Sequence, residues 1–389
     1  LVSRRFMLTI IRMWWPLLAG VLAIQLGNGL LSTAIGLRSD AAGFSAAELA
    51  LVMSGLYAGQ VVASILGPRA IARTGHVPAY VGFAALAIVS PLAILLSADP
   101  VTWAISRFVF GAGLAGIFVV VESWLNDRSA NAMRGRVFAV YILVQLAGLL
   151  VAQAFVPALA DNLPLSMTMV AVFGALAVLP VVLGRTERPA RHPFASASFR
   201  ALLAASPIGV VGAVVSGFVW AVVMAMSPVY AQRAGFDAEG VALFVAALVT
   251  GGILLQLPIG WISDLRDRRV VLAGMAGLAA MAAGVGAAAH GRDPSTTIAA
   301  IALFGGLTFP FYTVAVAHVN DRIDAAHRLP ASGAMILLFG VGSVLGPIAA
   351  SSAMEEAGPR GFFLLLAAVT GGLALYALYR IVIARPLAA

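Results

Sequence analysis

Apolar residues run through this chain in long unbroken stretches, with charged residues gathered in short clusters between them. Each stretch is close to the roughly 20 residues that a helix needs to cross the hydrocarbon core of a bilayer. Read between charge and Gly/Pro punctuation, the pattern predicts spans at 15–37, 47–68, 78–98, 102–125, 136–157 and 166–184. After a polar stretch it resumes at 206–231, 239–262, 270–289, 296–318, 331–353 and 361–383. The first run follows Arg4, Arg5 and Arg12, which resembles the charged start of a signal peptide. It is too long for a secretory core and has no clear small-residue cleavage site, so it reads as a retained helix.

Composition agrees with the pattern. Of 389 residues, 61% are hydrophobic and 10% charged, a balance that would leave a soluble domain covered in apolar patches. All 24 basic residues are arginine, and their placement sets an orientation. With both termini cytoplasmic, 19 arginines fall in inner segments, four (Arg38, Arg233, Arg292, Arg360) fall outside, and Arg107 lies within a span. An odd number of spans would scramble that bias in one half. The net charge of +8 is therefore assigned to membrane orientation, and no nucleic-acid partner is expected.

The chain also repeats itself at a shift of 192–194 residues. Ala42, Gly43 and Phe44 return as Ala234, Gly235 and Phe236; Phe110 and Gly111 return as Phe304 and Gly305. Asn126, Asp127 and Arg128 return as Asn320, Asp321 and Arg322, and Arg134 as Arg328. The expected fold is an all-α integral membrane protein, its twelve transmembrane helices arranged as two six-helix pseudo-repeats around a central cavity. The expected boundaries are an N-terminal bundle at 1–184, a cytoplasmic linker at 185–205 and a C-terminal bundle at 206–389.

These residues resemble the major facilitator superfamily. Gly260, Asp264, Arg268 and Arg269 are spaced like its signature loop, Gly-x-x-x-Asp-x-x-Gly-Arg-Arg/Lys, with Asp267 in place of the second glycine. In the first half the matching loop runs from Gly67 to Gly75, with Ile71 where the signature has aspartate. A gating ion pair made by that aspartate is therefore in doubt on this side. Span 4 opens with Arg107, Gly111 and Gly113, similar to the superfamily's Arg-x-x-x-Gly-x-Gly pattern. The resemblance covers essentially the whole chain. It implies a bacterial inner-membrane carrier working by alternating access, whose relatives move sugars, organic anions, metabolites and drugs, often with protons. Fold does not choose among those substrates.

Candidate chemistry is sparse, and that narrows the choice. There is no cysteine, no pair of the five histidines four residues apart, and no phosphate-binding Gly-x-x-x-x-Gly-Lys-Ser/Thr loop. No cofactor, metal, ATP site or enzymatic constellation is expected. Arg107 lies about two turns inside span 4, where a charge is costly without a partner. It is either an anion-binding or coupling residue, or an arginine satisfied by snorkelling or helix-end carbonyls. Glu122 is the one acid well inside a span, fifteen positions and thus about 22 Å along the helix from Arg107. It sits near Arg128, Arg134 and Arg136, which suggests an inner-gate clasp before a proton carrier. Asp264, with Arg268 and Arg269, reads as a gate pair in the same way. His318 reads as structural.

Gln25, Asn28, Tyr141, Gln145, Trp220, Gln256 and Tyr312 complete the set of candidate substrate contacts. Amides in lipid must either line a wet cavity or bond a neighbouring helix. With a lone cavity arginine and few buried acids, an anionic, zwitterionic or neutral polar solute is favoured over a polycation. Proton coupling stays open. The alternatives are a lipid or amphiphilic-drug flippase on the same scaffold, or a non-transporting membrane receptor.

Overall fold

The fold follows from twelve apolar stretches that satisfy their backbone groups internally, as a bilayer requires. The computed structural model describes residues 4–39, 41–129, 131–184, 202–203, 205–323 and 328–383, and among these it contains helix and no strand. Among the described residues, twelve helices are long and apolar enough to cross a membrane. They are α1 (Arg4–Ser39), α2 (Ala46–Thr74), α3 (His76–Ala93), α4 (Pro100–Arg128), α5 (Asn131–Ala152) and α6 (Leu163–Leu183). Then come α7 (Pro207–Arg233), α8 (Ala238–Leu265), α9 (Arg268–Ala289), α10 (Pro294–Thr308 with Phe311–Asn320), α11 (Arg328–Ala357) and α12 (Gly361–Ile383). Most of the expected linker lies outside the described residues, as do the side chains of Arg134 and Arg328.

Two compact units emerge: Leu1–Phe44 with Leu51–Phe194, and Ser45–Ala50 with Ala195–Ala389. Inside the first, α1 packs on α5 and α6, and α3 on α4 and α6. Inside the second, α7 packs on α11, and α9 on α10 and α12. The internal repeat thus extends to helix pairing.

It extends to helix ends as well. Gly43 and Gly235 take the left-handed conformation, with φ of 73° and 90°. Each ends its helix with a bond from the next residue back across the last turn, Phe44 N to Ser39 O at 3.2 Å and Phe236 N to Ala231 O at 3.0 Å. Asp99 and Asp293, each followed by proline, cap α4 and α10 by accepting from the Thr102 and Ser295 amides at 2.9 and 3.0 Å. One difference separates the halves. α4 is continuous, whereas α10 breaks at Phe309 and Pro310, because proline has no N–H for the helix and its ring crowds the preceding turn.

Exposed apolar rows mark the faces that lipid covers. On α8, Leu254, Leu257, Trp261 and Leu265 are each more than 60% exposed, a row that water alone would not tolerate.

The Asp293 cap makes a pH prediction. Hydrogen bonds from the Thr296 and Ser295 hydroxyls hold its carboxyl down at about 2, against about 3.9 for an unfolded aspartate. A lowered value means that the cap stabilises fully above the unfolded value and is lost as pH falls through the folded one. Asp293→Asn is therefore expected to flatten the fall in melting temperature between about pH 4 and about pH 2. Parallel melting curves for the two proteins over that interval would show that the cap contributes nothing.

Candidate functional site

A polar strip runs along one face of α1. Gln25, Asn28 and Ser32 are spaced three and four apart, which brings all three to the same side of the helix. Apolar surroundings force each amide to find a partner. Asn28 Nδ2 donates to Gln25 Oε1 at 3.0 Å, and Gln25 Nε2 donates to Gln145 Oε1 of α5 at 3.3 Å. Further along the same seam, the Thr33 hydroxyl donates to Gln153 Oε1 at 3.1 Å. The chain of amides leaves one atom over: Asn28 Oδ1 is buried and accepts nothing among the described residues.

Arg107 reaches the strip from α4. It is 0% exposed, and Nη1 donates to Ser32 Oγ at 3.2 Å. Tyr57 of α2 is near enough for its phenol to interact electrostatically with the guanidinium. The other edge, Nε and Nη2, is buried with no hydrogen-bond partner among the described residues. A buried bond left unmade costs about 1–3 kcal/mol, and more for a charged group. The Nε/Nη2 edge is also the planar fork that matches a carboxylate with two parallel bonds. The arrangement is chemically equipped to receive an anion.

Glu122 stands apart from this cluster. Its carboxylate accepts a hydrogen bond from the Tyr141 hydroxyl at 3.0 Å, and the Tyr141 ring packs edge-on against Phe118 and Phe138. Sequence proximity directs attention to Arg128, Arg134 and Arg136, which follow Glu122 in the chain; the structure brings the Tyr141 phenol from α5. Arg128 is exposed at the end of α4. Tyr141 and Gln145 share a face, as their spacing predicts, but serve different partners, Glu122 and Gln25.

In the second unit two of the expected contacts pack on phenylalanine rings. Trp220 packs on Phe309 with ring centroids 4.9 Å apart, and Tyr312 meets Phe339 edge-on at 5.1 Å. Gln256 is half-buried on α8. The loop between α8 and α9 is an ion-pair network. Arg268 bonds Asp321 at 2.6 Å, Asp264 at 3.3 Å and Ser263 at 3.0 Å, which ties the start of α9 to the end of α10. With its side chain 71% exposed, Asp264 adds little energy of its own. Asp267, the departure from the signature, caps α9 by accepting from the Arg269 amide at 2.9 Å, while its carboxylate pairs with the Arg269 side chain at 2.7 Å. That side-chain bond holds the Asp267 carboxyl below its ordinary range. His318 lies against Arg322.

Ser32 enters the Arg107 site without having stood out in the sequence. Ser32 carries a signal in hindsight, seven residues beyond Gln25 on the same face. Tyr57 is visible as a polar residue inside the second apolar span, but nothing in its spacing links α2 to α4.

The paired units, the capped repeat and the signature loop point to one family. The Major Facilitator Superfamily profile matches residues 17–255 and again 209–388. The chain belongs to the major facilitator superfamily. A superfamily member from Escherichia coli (strain K12 / DH10B), the uncharacterized MFS-type transporter YcaD, is 27% identical over 358 residues, covering 91% of this chain and 92% of the relative. The same transporter from Shigella flexneri is 26% identical over 356 residues, with the same coverage. Among solved structures, the nucleoside transporter NupG superposes with a TM-score of 0.76 at 13% identity, covering 95% of this chain and 99% of that one. A D-xylose-proton symporter does so with a TM-score of 0.75 at 14% identity, covering 96% and 97%. At that identity these superfamily structures attest the shared fold.

Proposed function

We propose that this protein is a secondary active transporter that moves a small organic solute across the bacterial inner membrane by alternating access. Anionic, zwitterionic or neutral polar solutes are favoured. The observation that carries this reading is Arg107, a fully buried guanidinium whose Nε and Nη2 have no hydrogen-bond partner among the described residues. A charge is kept at such a position at a cost, and in membrane proteins such charges mark substrate and ion paths. The names of the structural neighbours, a nucleoside transporter and a xylose symporter, support a small polar solute. The proposed substrate contacts are Arg107, Gln25, Asn28, Tyr141 and Gln145 from the first unit, with Trp220, Gln256 and Tyr312 from the second. Glu122, Arg128, Asp264, Arg268 and Arg269 are assigned to gating or coupling. The arginine distribution supports cytoplasmic termini, with six-helix bundles at 1–184 and 206–389 joined through 185–205.

Counterflow in proteoliposomes tests the reading. Vesicles preloaded with one unlabelled organic acid, amino acid, sugar or nucleoside are expected to accumulate the labelled form of at least one of them. Movement of headgroup-labelled lipid with no soluble solute would replace the carrier by a flippase. Silence towards every solute and lipid would remove the transport reading.

A further inference from the structure

Two buried groups of opposite hydrogen-bonding character, both without a partner among the described residues, belong to the α1 strip and the arginine that reaches it. One is the donor edge of Arg107, Nε and Nη2; the other is the acceptor Asn28 Oδ1. The helix relates their anchor points on α1. Arg107 is held at Ser32, and Asn28 precedes Ser32 by four positions, a rise of about 6 Å along α1. The orientation of the Asn28 amide is set as well. Its Nδ2 is committed to Gln25, which is itself committed to Gln145, so Oδ1 is left on the side of the amide away from Gln25.

We infer that the Arg107–Asn28 pair selects short carboxylates that carry a hydroxyl or ammonium donor within a few bonds of the carboxyl group. This inference rests on the carrier reading above and names its substrate class. The chemistry excludes neighbouring classes one by one. An unsubstituted carboxylate answers Arg107 and leaves Oδ1 without a donor. A neutral polyol answers Oδ1 and leaves the guanidinium charge uncompensated. A dicarboxylate brings a second anion against a carbonyl oxygen, and like polarity there is repulsive. Of these classes, a hydroxy or amino acid satisfies both groups at once, and unsatisfied buried groups are what sites discriminate by most sharply. Gln25 and Gln145 act as positioning residues, since they hold the Asn28 amide the right way round.

The test uses purified full-length protein and matched ligands: propionate against lactate, butyrate against 3-hydroxybutyrate and 4-aminobutyrate, with glutarate as the dicarboxylate. Binding is read by titration calorimetry, and transport of the same compounds by counterflow. In the wild type each substituted acid is expected to bind about ten-fold or more tightly than its parent, with glutarate no better than the parents. Asn28→Ala is expected to reduce that ratio to within about two-fold. Equal affinities within each pair in the wild type would overturn the inference without any variant. So would an Asn28→Ala protein weakened equally towards parent and substituted acids, because that is the mark of a structural residue. Where other solutes counterflow but the pairs do not differ, the carrier reading stands and the substrate class falls. Where nothing binds or moves, both fall.

Discussion

Arg107→Gln is expected to abolish stabilisation of this protein by organic anions and at the same time to raise the melting temperature of the ligand-free form. The two effects have one cause. In the free protein the guanidinium is buried with Nε and Nη2 unsatisfied, and the charge lies in apolar surroundings. A glutamine can keep a bond to Ser32 without carrying charge, so the free form should gain about 1–3 kcal/mol. An anion at 100 times its dissociation constant should add about 2.7 kcal/mol to the wild type and nothing to the variant. Thermal melts of both proteins, with and without ligand, read both quantities in one experiment. A variant that melts lower than wild type and still responds to anions would make Arg107 a structural residue. Gain on one side and loss on the other is the pattern of a site whose stability is spent on function.

Gly111→Val is expected to prevent the first unit from packing. α2 and α4 cross so closely that a Cβ on Gly111 would run into the Leu56 carbonyl oxygen, and one on Gly59 into the Phe108 carbonyl oxygen. Backbone cannot yield as a side-chain tip can, so the helices must separate along the crossing. The expected loss is about 3 kcal/mol or more, seen as failed accumulation or a large drop in melting temperature. Gly305→Val should behave alike in the second unit, where the Leu248 carbonyl oxygen stands in the way and Gly251 faces Ala302 in turn. Gly274→Ala is the control: nothing lies within 4 Å of its Cβ position, so the change should stay within about 0.5 kcal/mol apart from helix propensity. Normal accumulation and melting of Gly111→Val would refute the close crossing.

The glycines illustrate how far the sequence could be read. Their clustering at Gly111 and Gly113 suggests close helix approach, and the matched pair Gly111 and Gly305 belongs to the 192–194-residue repeat. Which helix approaches is not written in that pattern. The partners, α2 and α8, appear only when Gly59 and Gly251 are found opposite, and these two are separated by the same shift. The candidate site divides in the same way. Gln25 and Asn28 share a face because a helix turns once in about 3.6 residues. Their bonds to each other and to Gln145, and the orphaned oxygen left at the end, depend on where α5 lies. Glu122 is the sharpest case. Its neighbours in sequence are arginines, and the group placed on its carboxylate is Tyr141, nineteen residues away on the next helix.

What the sequence determined by itself is everything that depends on local or periodic rules. The number of spans follows from bilayer thickness, and the expected orientation from arginine counts. The repeat follows from turn residues such as Gly43 and Gly235, whose positive φ only glycine adopts cheaply. The helix caps at Asp99 and Asp293 are equally local, because a cap and its amide lie within three residues. Tertiary structure alone decided which polar groups inside the spans are satisfied and which are left open. That outcome is set by distances between helices, and a difference of one ångström separates a bonded amide from a buried, unpaired one. Arg107 was visible as a charge in an apolar run; that one of its edges is occupied and the other empty became visible only when α1 was placed against α4.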